Sequence, residues 1–259
     1  MVGEAFEKLV KIMKRLRSKD GCPWDKEQTH QSLKPYLLEE AYEVIESIDN
    51  NDPESLKEEL GDLLLQPIFH SQIAQDNDDF TIEDVINTII DKLIRRHPHV
   101  FDNLEIKTSE DQKIHWEKLK KHEGKKSVLE GIPKTMPALN RAHRVQQRAA
   151  TVGFDWNTTN QVWEKIQEEI EELKAAIKTN EKNDIFEEFG DLLFALVNLS
   201  RFLKLNPEDA LRKATDKFSQ RFHKVEQNYT DQGKDINRAS LQDMDKIWNK
   251  IKKDSVNNK

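Results

Sequence analysis

Residues 37–48 read LLEEAYEVIESI and residues 57–65 read KEELGDLLL, while residues 166–177 read IQEEIEELKAAI and residues 186–194 read FEEFGDLLF. Each pair of segments contains Glu-Glu-x-x-Glu, then fifteen intervening residues, then Glu-x-Gly-Asp-Leu-Leu. The second copy lies 129 residues after the first. Because one spacing is hard to obtain twice by chance, the pattern predicts two duplicated modules.

The repeat extends beyond the acidic motif on both sides. Residues 21–25, GCPWD, precede the first copy, and residues 153–157, GFDWN, precede the second. Downstream, Lys92 and Arg96 in the first copy match Lys217 and Arg221 in the second. Trp116 and Lys120 likewise match Trp248 and Lys252. Glycines, prolines and lysines interrupt the helical pattern between the copies. We expect an N-terminal module over residues 1–122, a linker over 123–136 and a C-terminal module over 137–259.

The composition favours helices. The chain has 8 glycines and 8 prolines in 259 residues, below the average usage of about 7% and about 5%, and 34% of its residues are charged. No stretch alternates in the manner of a strand, so we predict an all-α fold. Asp52-Pro53 and Asn206-Pro207 are typical of helix starts. An apolar stripe at helical spacing is predicted from Phe189, Leu192, Leu193, Leu196, Leu199 and Leu203.

Several classes of protein are disfavoured by the same composition. No apolar run approaches the roughly 18 residues needed to cross a membrane, and the first residues lack a signal-peptide pattern, so a cytoplasmic protein is expected. The single cysteine, Cys22, can form neither an intramolecular disulfide nor a zinc cluster, and a small buried apolar role suits it better than a nucleophilic one. A net charge of −7 disfavours nucleic acid as a partner.

Carboxylates three residues apart share one face of a helix. The motif pairs are Glu40 with Glu43, Glu59 with Asp62, Glu169 with Glu172, and Glu188 with Asp191. Two antiparallel helices would bring four acids together in each module. A solvated acidic face is the ordinary alternative, but Glu188 and Asp191 adjoin the apolar stripe. Carboxylates near a core need a cation, so a metal site is predicted.

The ligand type narrows the choice of metal. An all-oxygen set suits Mg²⁺, Mn²⁺ or Ca²⁺, whereas di-iron bundles use Glu-x-x-His on two helices. The one Glu-x-x-His, Glu27 to His30, lies outside the repeat. An EF-hand loop is also missing from the sequence. We therefore expect Mg²⁺, with Mn²⁺ as a substitute.

An acidic metal site that handles polyphosphate also needs cations. Lys217 and Arg221 lie one helical turn apart. The lysine could attract phosphate oxygens as a point charge, and the arginine could donate two parallel hydrogen bonds to them. Ordinary surface charge is the alternative for such a pair, and Lys92 with Arg96 repeats it in the first module. Trp248 could stack on a base or belong to the core. No Walker loop occurs in the sequence.

The duplicated acidic motif, the CPWD element at residues 22–25 and the linker SVLEGIPKTMPAL at residues 127–139 together resemble the tandem-domain MazG nucleoside triphosphate pyrophosphohydrolases. The resemblance covers essentially the whole chain. It implies modules that pair into four-helix bundles, usually by homodimerisation, and hydrolysis of ribo- and deoxynucleoside triphosphates to monophosphate and pyrophosphate with little base preference. It also implies Mg²⁺ ligands at Glu169, Glu172, Glu188 and Asp191, and nucleotide contacts at Lys165, Glu168, Lys217, Arg221, Trp248 and Lys252.

The two copies differ beside the motif. Lys165 precedes Glu169 by four residues, whereas Tyr36 takes the equivalent place in the first copy, where Pro67 also follows Asp62 and should kink the helix. We therefore expect the C-terminal module to be the main catalytic one, with Glu168 as a candidate base or an outer acid. A nucleotide-sensing or dimerisation scaffold without turnover is the alternative, above all for the N-terminal module. A polyphosphate or dinucleotide hydrolase would differ only in its products.

Overall fold

The structure is a computed structural model, and it describes residues 1–102, 108 and 127–257, with side chains through residue 254. These residues form eleven α-helices and one 3-10 helix, and no strand occurs among them. The prediction of an all-α fold is confirmed. The chain divides into two compact units, Met1–Thr108 and Ser109–Lys259. Of the helices in the described residues, none combines the length and the apolar character that crossing a membrane requires.

The first unit is organised around a helical hairpin. Its helices are α1 (Val2–Arg17), α2 (Pro23–Glu27), α3 (Lys34–Asn50), α4 (Pro53–Asp76), α5 (Ile82–Arg96) and α6 (Pro98–Phe101). Helices α3 and α4 pack side by side, and α4 also contacts α1 and α5. The core of the unit consists of Met13, Leu33, Ile68, Phe69 and Ile73. The hairpin therefore presents the first acidic motif on two neighbouring helices.

The second unit repeats this hairpin. Its helices are α7 (Ala138–Ala150), α8 (Thr159–Thr179), α9 (Lys182–Phe202), α10 (Pro207–Asp231), the 3-10 helix (Ile236–Arg238) and α11 (Leu241–Asn257). Helix α8 packs along α9, α7 packs on α9 and α10, and α10 packs on α11. Val162, Ile166, Ala195 and Leu199 form the buried core between α8 and α9.

The chain reverses direction at the same place in both hairpins. Asn51 follows α3 with φ of 54°, and Asn180 follows α8 with φ of 60°. This left-handed conformation ends a helix, and asparagine tolerates it better than most residues. Both predicted proline starts are confirmed, since the side chains of Asp52 and Asn206 accept hydrogen bonds from backbone N–H groups in the first turns of α4 and α10. Helix α4 continues through Pro67.

The predicted apolar stripe on α9 is buried only in part. Leu199 lies in the core, and Leu192 packs against it. By contrast, Phe189 is 54% exposed and Leu203 is 52% exposed, and Leu193 and Leu196 are exposed as well. The apolar stripe predicted on α9 therefore contributes Leu192 and Leu199 to the core of this unit, and its remaining members lie on the exposed side. The buried residues of α9 are Ala195, Val197 and Leu199.

Candidate active site

Each hairpin gathers three carboxylates from its two helices. In the second unit, Glu169 and Glu172 on α8 meet Glu188 on α9, with one oxygen of each within 4.8 Å of the others. Spacing of three places the first two acids on one face of α8, and the packing of α9 supplies the third. In the first unit the equivalent acids Glu40, Glu43 and Glu59 form a group that meets the same limit.

Desolvation, and then mutual repulsion, raises the pKa of one or two acids in each group. The pKa of Glu188 is raised by partial burial and then by the charge of Glu172. In the first unit, partial burial followed by the charge of Asp62 raises the pKa of Glu40, and desolvation followed by the charge of Glu43 raises that of Glu59. A cation among these acids would relieve the repulsion that raises their pKa values.

The residues present fit a hard divalent cation. All donors are carboxylate oxygens, which Mg²⁺ and Mn²⁺ accept and which suit neither a zinc–thiolate nor a di-iron histidine site. Magnesium holds its ligands at about 2.0–2.1 Å, so oxygens on opposite sides of the ion lie about 4 Å apart. Small side-chain rotations from a separation within 4.8 Å would reach that arrangement.

The fourth acid of each motif lies at the margin of its group. Asp62 and Asp191 are exposed and fall outside the three-oxygen groups. Both are nonetheless close enough for their charges to act, because Asp62 raises the pKa of Glu40 and Asp191 raises that of Glu188.

Lys165 contacts two acids of the second unit, and the first unit has no lysine at the equivalent position. Its Nζ is 2.8 Å from Glu168 Oε1 and 2.8 Å from Glu169 Oε1. The ammonium donates both hydrogen bonds, and they raise the pKa of Lys165, the one accepted by Glu168 contributing most. Glu169 is 5% exposed, which makes it the most buried of the motif acids. In the first unit Tyr36 occupies the equivalent position and contacts Trp24 edge to face.

A cavity of about 740 Å³ opens beside this lysine. Lys165, Glu169 and Asp191 line one part of it. Most of its other lining side chains are apolar: Leu129, Val145, Ala149, Phe154, Trp156, Phe194 and Ala195. A concave apolar space with a few polar groups is typical of small-molecule sites, which measure about 300–1,000 Å³.

Polar side chains complete the cavity wall. Arg201 pairs with Asp155 through two hydrogen bonds, one of 2.8 Å between Nη1 and Oδ2, and it also donates to Asn198 Oδ1. The Nε2 of Gln146 donates to the carbonyl oxygen of Phe194 at 2.8 Å. Its Oε1 is buried and accepts no hydrogen bond within the described residues. A buried acceptor without a partner costs about 1–3 kcal/mol, so Gln146 Oε1 is a candidate acceptor for a bound group.

The predicted nucleotide contacts are spread over several helices. Lys217 and Arg221 lie on α10 and Trp248 and Lys252 on α11, two helices that pack together. The ring of Trp248 lies 5.0 Å from that of Phe218. Within the described residues none of these four side chains bonds to a motif acid. Lys92 and Arg96 lie on α5, which packs on α4, and Trp116 and Lys120 fall outside the described residues.

Most of the cavity was not predicted from the sequence. Trp156 belongs to the repeated GFDWN element, but Gln146, Asn198 and Arg201 lie outside the predicted motifs. The sequence spacing on α9 could have predicted two of these residues. Asn198 and Arg201 follow Asp191 by seven and ten residues and therefore lie on its side of the helix. Gln146 had no comparable signal, because only the packing of α7 on α9 brings it to the site.

Comparison with known proteins decides the family. Residues 28–101 and 157–226, which together exceed half of the chain, each match the MazG nucleotide pyrophosphohydrolase domain. The chain belongs to the MazG family. It is therefore an enzyme of the nucleotide pyrophosphohydrolase class, and its two MazG domains stand in tandem.

Two relatives match along nearly their whole length. The nucleoside triphosphate pyrophosphohydrolase/pyrophosphatase MazG of Thermotoga maritima is 51% identical over 253 residues, which are 96% of each chain. The nucleoside triphosphate pyrophosphohydrolase of Escherichia coli is 42% identical over 258 residues, 97% of this MazG chain and 98% of that protein. The alignments therefore span both MazG domains of this chain.

Proposed function

We propose that this MazG protein hydrolyses nucleoside triphosphates to nucleoside monophosphate and pyrophosphate with Mg²⁺ at the C-terminal module. The observation that carries the proposal is the Glu169, Glu172 and Glu188 group, with Lys165 beside it, at the edge of a large cavity. The names of the two relatives support the same reaction. The apolar lining favours ribo- and deoxynucleotides of any base, since few polar groups select among bases.

Glu169, Glu172 and Glu188 would hold Mg²⁺, or Mn²⁺ in its place, with Asp191 completing the site. When bound, the ion supplies Lewis acidity to the α-phosphate and lowers the pKa of a water. Glu168 is exposed beside the group, and we assign it the role of orienting or deprotonating that water. In the N-terminal module, Glu40, Glu43, Glu59 and Asp62 would bind the same ion.

Positive charge for the leaving pyrophosphate comes from Lys165, Lys217 and Arg221. The ammonium of Lys165 already lies within 2.8 Å of the acids, where a substrate phosphate would approach. We assign Trp248 and Lys252 to the outer part of the nucleotide site. Lys92, Arg96, Trp116 and Lys120 would form the corresponding set of a second site in the N-terminal module.

We also propose that the protein is a cytoplasmic homodimer with no nucleic-acid partner. The outward face of α9 supports pairing, because Phe186 is 84% exposed and Phe189 is 54% exposed next to the acids. Large apolar side chains in such a row are typical of contact surfaces. Light scattering tests the pairing, and a species of 30.4 kDa would contradict it.

The test of the reaction is product analysis with a matched pair of variants. The protein is incubated with ATP, GTP, CTP and dTTP in Mg²⁺, with EDTA as a further control. We expect monophosphate plus pyrophosphate from the unaltered protein and from Glu43→Gln, and a loss of at least 100-fold in Glu172→Gln. Diphosphate plus phosphate would contradict attack at the α-phosphorus, and equal losses in the two variants would contradict the assignment to the C-terminal module.

A second function is favoured for the N-terminal module alone. Its acids are grouped as in the C-terminal module, but Tyr36 replaces the lysine. We infer that this module binds the ion and serves as a nucleotide-sensing or dimerisation scaffold without turnover. Residual pyrophosphate release of more than about 10% in Glu172→Gln would contradict this inference.

A further inference from the structure

Arg201 joins two chain segments at the open end of the acidic hairpin in the second unit. Helices α8 and α9 are connected at Asn180, so the start of α8 and the end of α9 lie together at the opposite end of the hairpin. Arg201 is near the end of α9, and its guanidinium pairs with Asp155, four residues before α8 begins. The bond from Nη1 to Oδ2 measures 2.8 Å. Arg201 also donates to Asn198 Oδ1, at 2.8 Å from Nη2.

The pair between Arg201 and Asp155 is held from several sides. The side chain of Arg201 is 16% exposed, and its guanidinium lies 4.9 Å from the centre of the Phe202 ring. Asp155 Oδ1 also accepts a hydrogen bond of 2.8 Å from the backbone N–H of Trp156. Two parallel hydrogen bonds between an arginine and a carboxylate fix direction as well as distance. The segment before α8 is therefore fastened to the end of α9.

The acid group depends on how α8 and α9 are aligned along each other. Glu169 and Glu172 lie on α8 and Glu188 lies on α9, with one oxygen of each within 4.8 Å of the others. A shift of one helix by a single residue, about 1.5 Å, would disturb that group. The buried core between the two helices is apolar, and apolar contacts are not directional. A charged pair can specify the alignment that such contacts leave open.

The first unit fastens the same end of its hairpin with a different arginine. Arg17 on α1 donates from Nε to Oδ2 of Asp76, the last residue of α4, at 2.7 Å. From Nη1 it donates to the carbonyl oxygens of Asp25 and Gln28, which precede α3, the latter at 3.2 Å. The side chain of Arg17 is 9% exposed. The repeat does not align the two arginines, since Arg17 precedes the first motif and Arg201 follows the second. The feature that the two units share is the link itself.

We propose that Arg201, through its pair with Asp155, is a positioning residue for the C-terminal acid group. It holds α8 and α9 in the alignment in which the three carboxylates can bind one divalent ion. Arg17 has the same role for the acid group of the first unit. The inference rests on the proposed function for the class of ligand, a divalent cation, and it concerns the affinity for that ion rather than the reaction.

The sign of the effect separates positioning from charge. Removing a positive charge near three carboxylates would by itself strengthen the binding of a cation, whereas a loss of alignment would weaken it. Mn²⁺ affinity is therefore measured by calorimetry in Glu43→Gln, in which the first group is weakened and the C-terminal group dominates. Adding Arg201→Gln should raise the Kd of Mn²⁺ at least fivefold. Arg201→Lys, which keeps the charge but not the two parallel bonds, should raise it at least twofold.

Two controls use arginines elsewhere in the chain. Arg238 is exposed and pairs with Asp235, three residues before it, so Arg238→Gln should change the Kd less than twofold. Arg17→Gln should also leave the C-terminal group unchanged. In the Glu172→Gln background, where the first group dominates, the roles reverse, and Arg17→Gln should raise the Kd at least fivefold while Arg201→Gln changes it less than twofold. Circular dichroism and Tm verify that each variant is folded at the temperature of measurement.

An unchanged or lower Kd in folded Arg201→Gln would overturn the proposal, even if Tm falls, because a merely stabilising pair predicts that result. If Arg201→Gln does not fold, Arg201→Lys decides by the same criterion. Absence of Mn²⁺ binding in Glu43→Gln alone would overturn the proposal too. If Mn²⁺ binding weakens as expected but the unaltered protein releases no pyrophosphate from ATP, the proposed reaction fails while the positioning role stands.

Discussion

Lys165 carries the clearest difference between the two modules at the scale of single residues. Its ammonium bonds to Glu168 and to the buried Glu169, whereas Tyr36 packs on Trp24 in the first unit. The spacing of Lys165 four residues before Glu169 predicted that the two side chains would meet, because such residues share a helix face. The burial of Glu169 was not predictable, since it depends on the packing of α8 against α9.

Replacing Lys165 should impair turnover more than folding. In Lys165→Met the apolar stem is kept and the charge is lost, so the charge that meets the phosphates disappears. We expect kcat/KM for ATP to fall about 10- to 100-fold. The matched control is Lys174→Met on the same helix, whose lysine pairs with the exposed Glu171. A loss in Lys174→Met as large as that in Lys165→Met would contradict a specific role.

His70 gives the first unit a pH-dependent stability. Its Nδ1 lies 2.7 Å from that of His30, and partial burial followed by the charge of His30 lowers the pKa of His70. The unfolded chain therefore binds a proton more readily, so stability falls as pH drops below the normal histidine pKa and levels off below the lowered pKa of the folded state.

The variant His70→Leu copies Leu199, its counterpart in the second unit. We expect the fall in the free energy of unfolding between pH 7.5 and 5.5 to shrink, by at most about 1.4 kcal/mol per pH unit for one proton. Urea titrations at the two pH values measure it. The pKa of His143 is also lowered, by burial and by Arg201 and Arg144, so some dependence should remain. An unchanged slope would contradict the assignment to His70.

At the scale of helices, local chemistry sets the boundaries well. Asp52 and Asn206 were predicted as caps from their following prolines, and both accept the expected backbone hydrogen bonds. The apolar stripe of α9 was predicted less well. Apolar residues spaced three and four apart share one face of a helix. This spacing does not show which neighbouring helix covers that face, and Phe189 and Leu203 remain exposed.

Helix α8 offers a test of capping. The side chain of Thr158 accepts a hydrogen bond from the backbone N–H of Gln161, and the Gln161 side chain accepts from the backbone N–H of Thr158. Thr158→Ala should lower the free energy of unfolding of the second unit by about 1 kcal/mol, measured by urea denaturation. Thr158→Ser keeps the hydroxyl and should stay within about 0.5 kcal/mol of the unaltered protein. Equal stability of the alanine and serine variants would contradict a capping role.

At the scale of the whole molecule, duplication placed the same acidic hairpin in both units. The acid groups could be predicted from the sequence because each pair is local and the repeat showed them twice. The cavity could not, since Leu129, Gln146, Trp156, Lys165 and Asn198 come from five separate segments. These residues come together because α7, α8 and α9 pack against one another. The spacing of apolar residues within one helix does not predict that packing.

Divalent ions should stabilise the folded protein. The grouped acids repel one another in the folded state, and an ion that binds only this state adds about 2.7 kcal/mol at a hundredfold excess over its Kd. We expect Mg²⁺ or Mn²⁺ to raise Tm by about 2–4 °C for each kcal/mol, measured by calorimetry. The rise should be smaller in Glu172→Gln and in Glu43→Gln, each of which weakens one group. A rise that is unchanged in both variants would show that the ions bind elsewhere.

The paired hydrogen bonds of Lys165 have a consequence for nucleotide binding. The ammonium of Lys165 contacts a Glu169 oxygen that a bound ion would also need. One carboxylate oxygen cannot bind both cations fully. If Glu169 held an ion, Lys165 would lose this contact, and its ammonium would then be available to a phosphate. We therefore expect nucleotide affinity to depend on the divalent ion, because Lys165 stays paired with Glu168 and Glu169 without it.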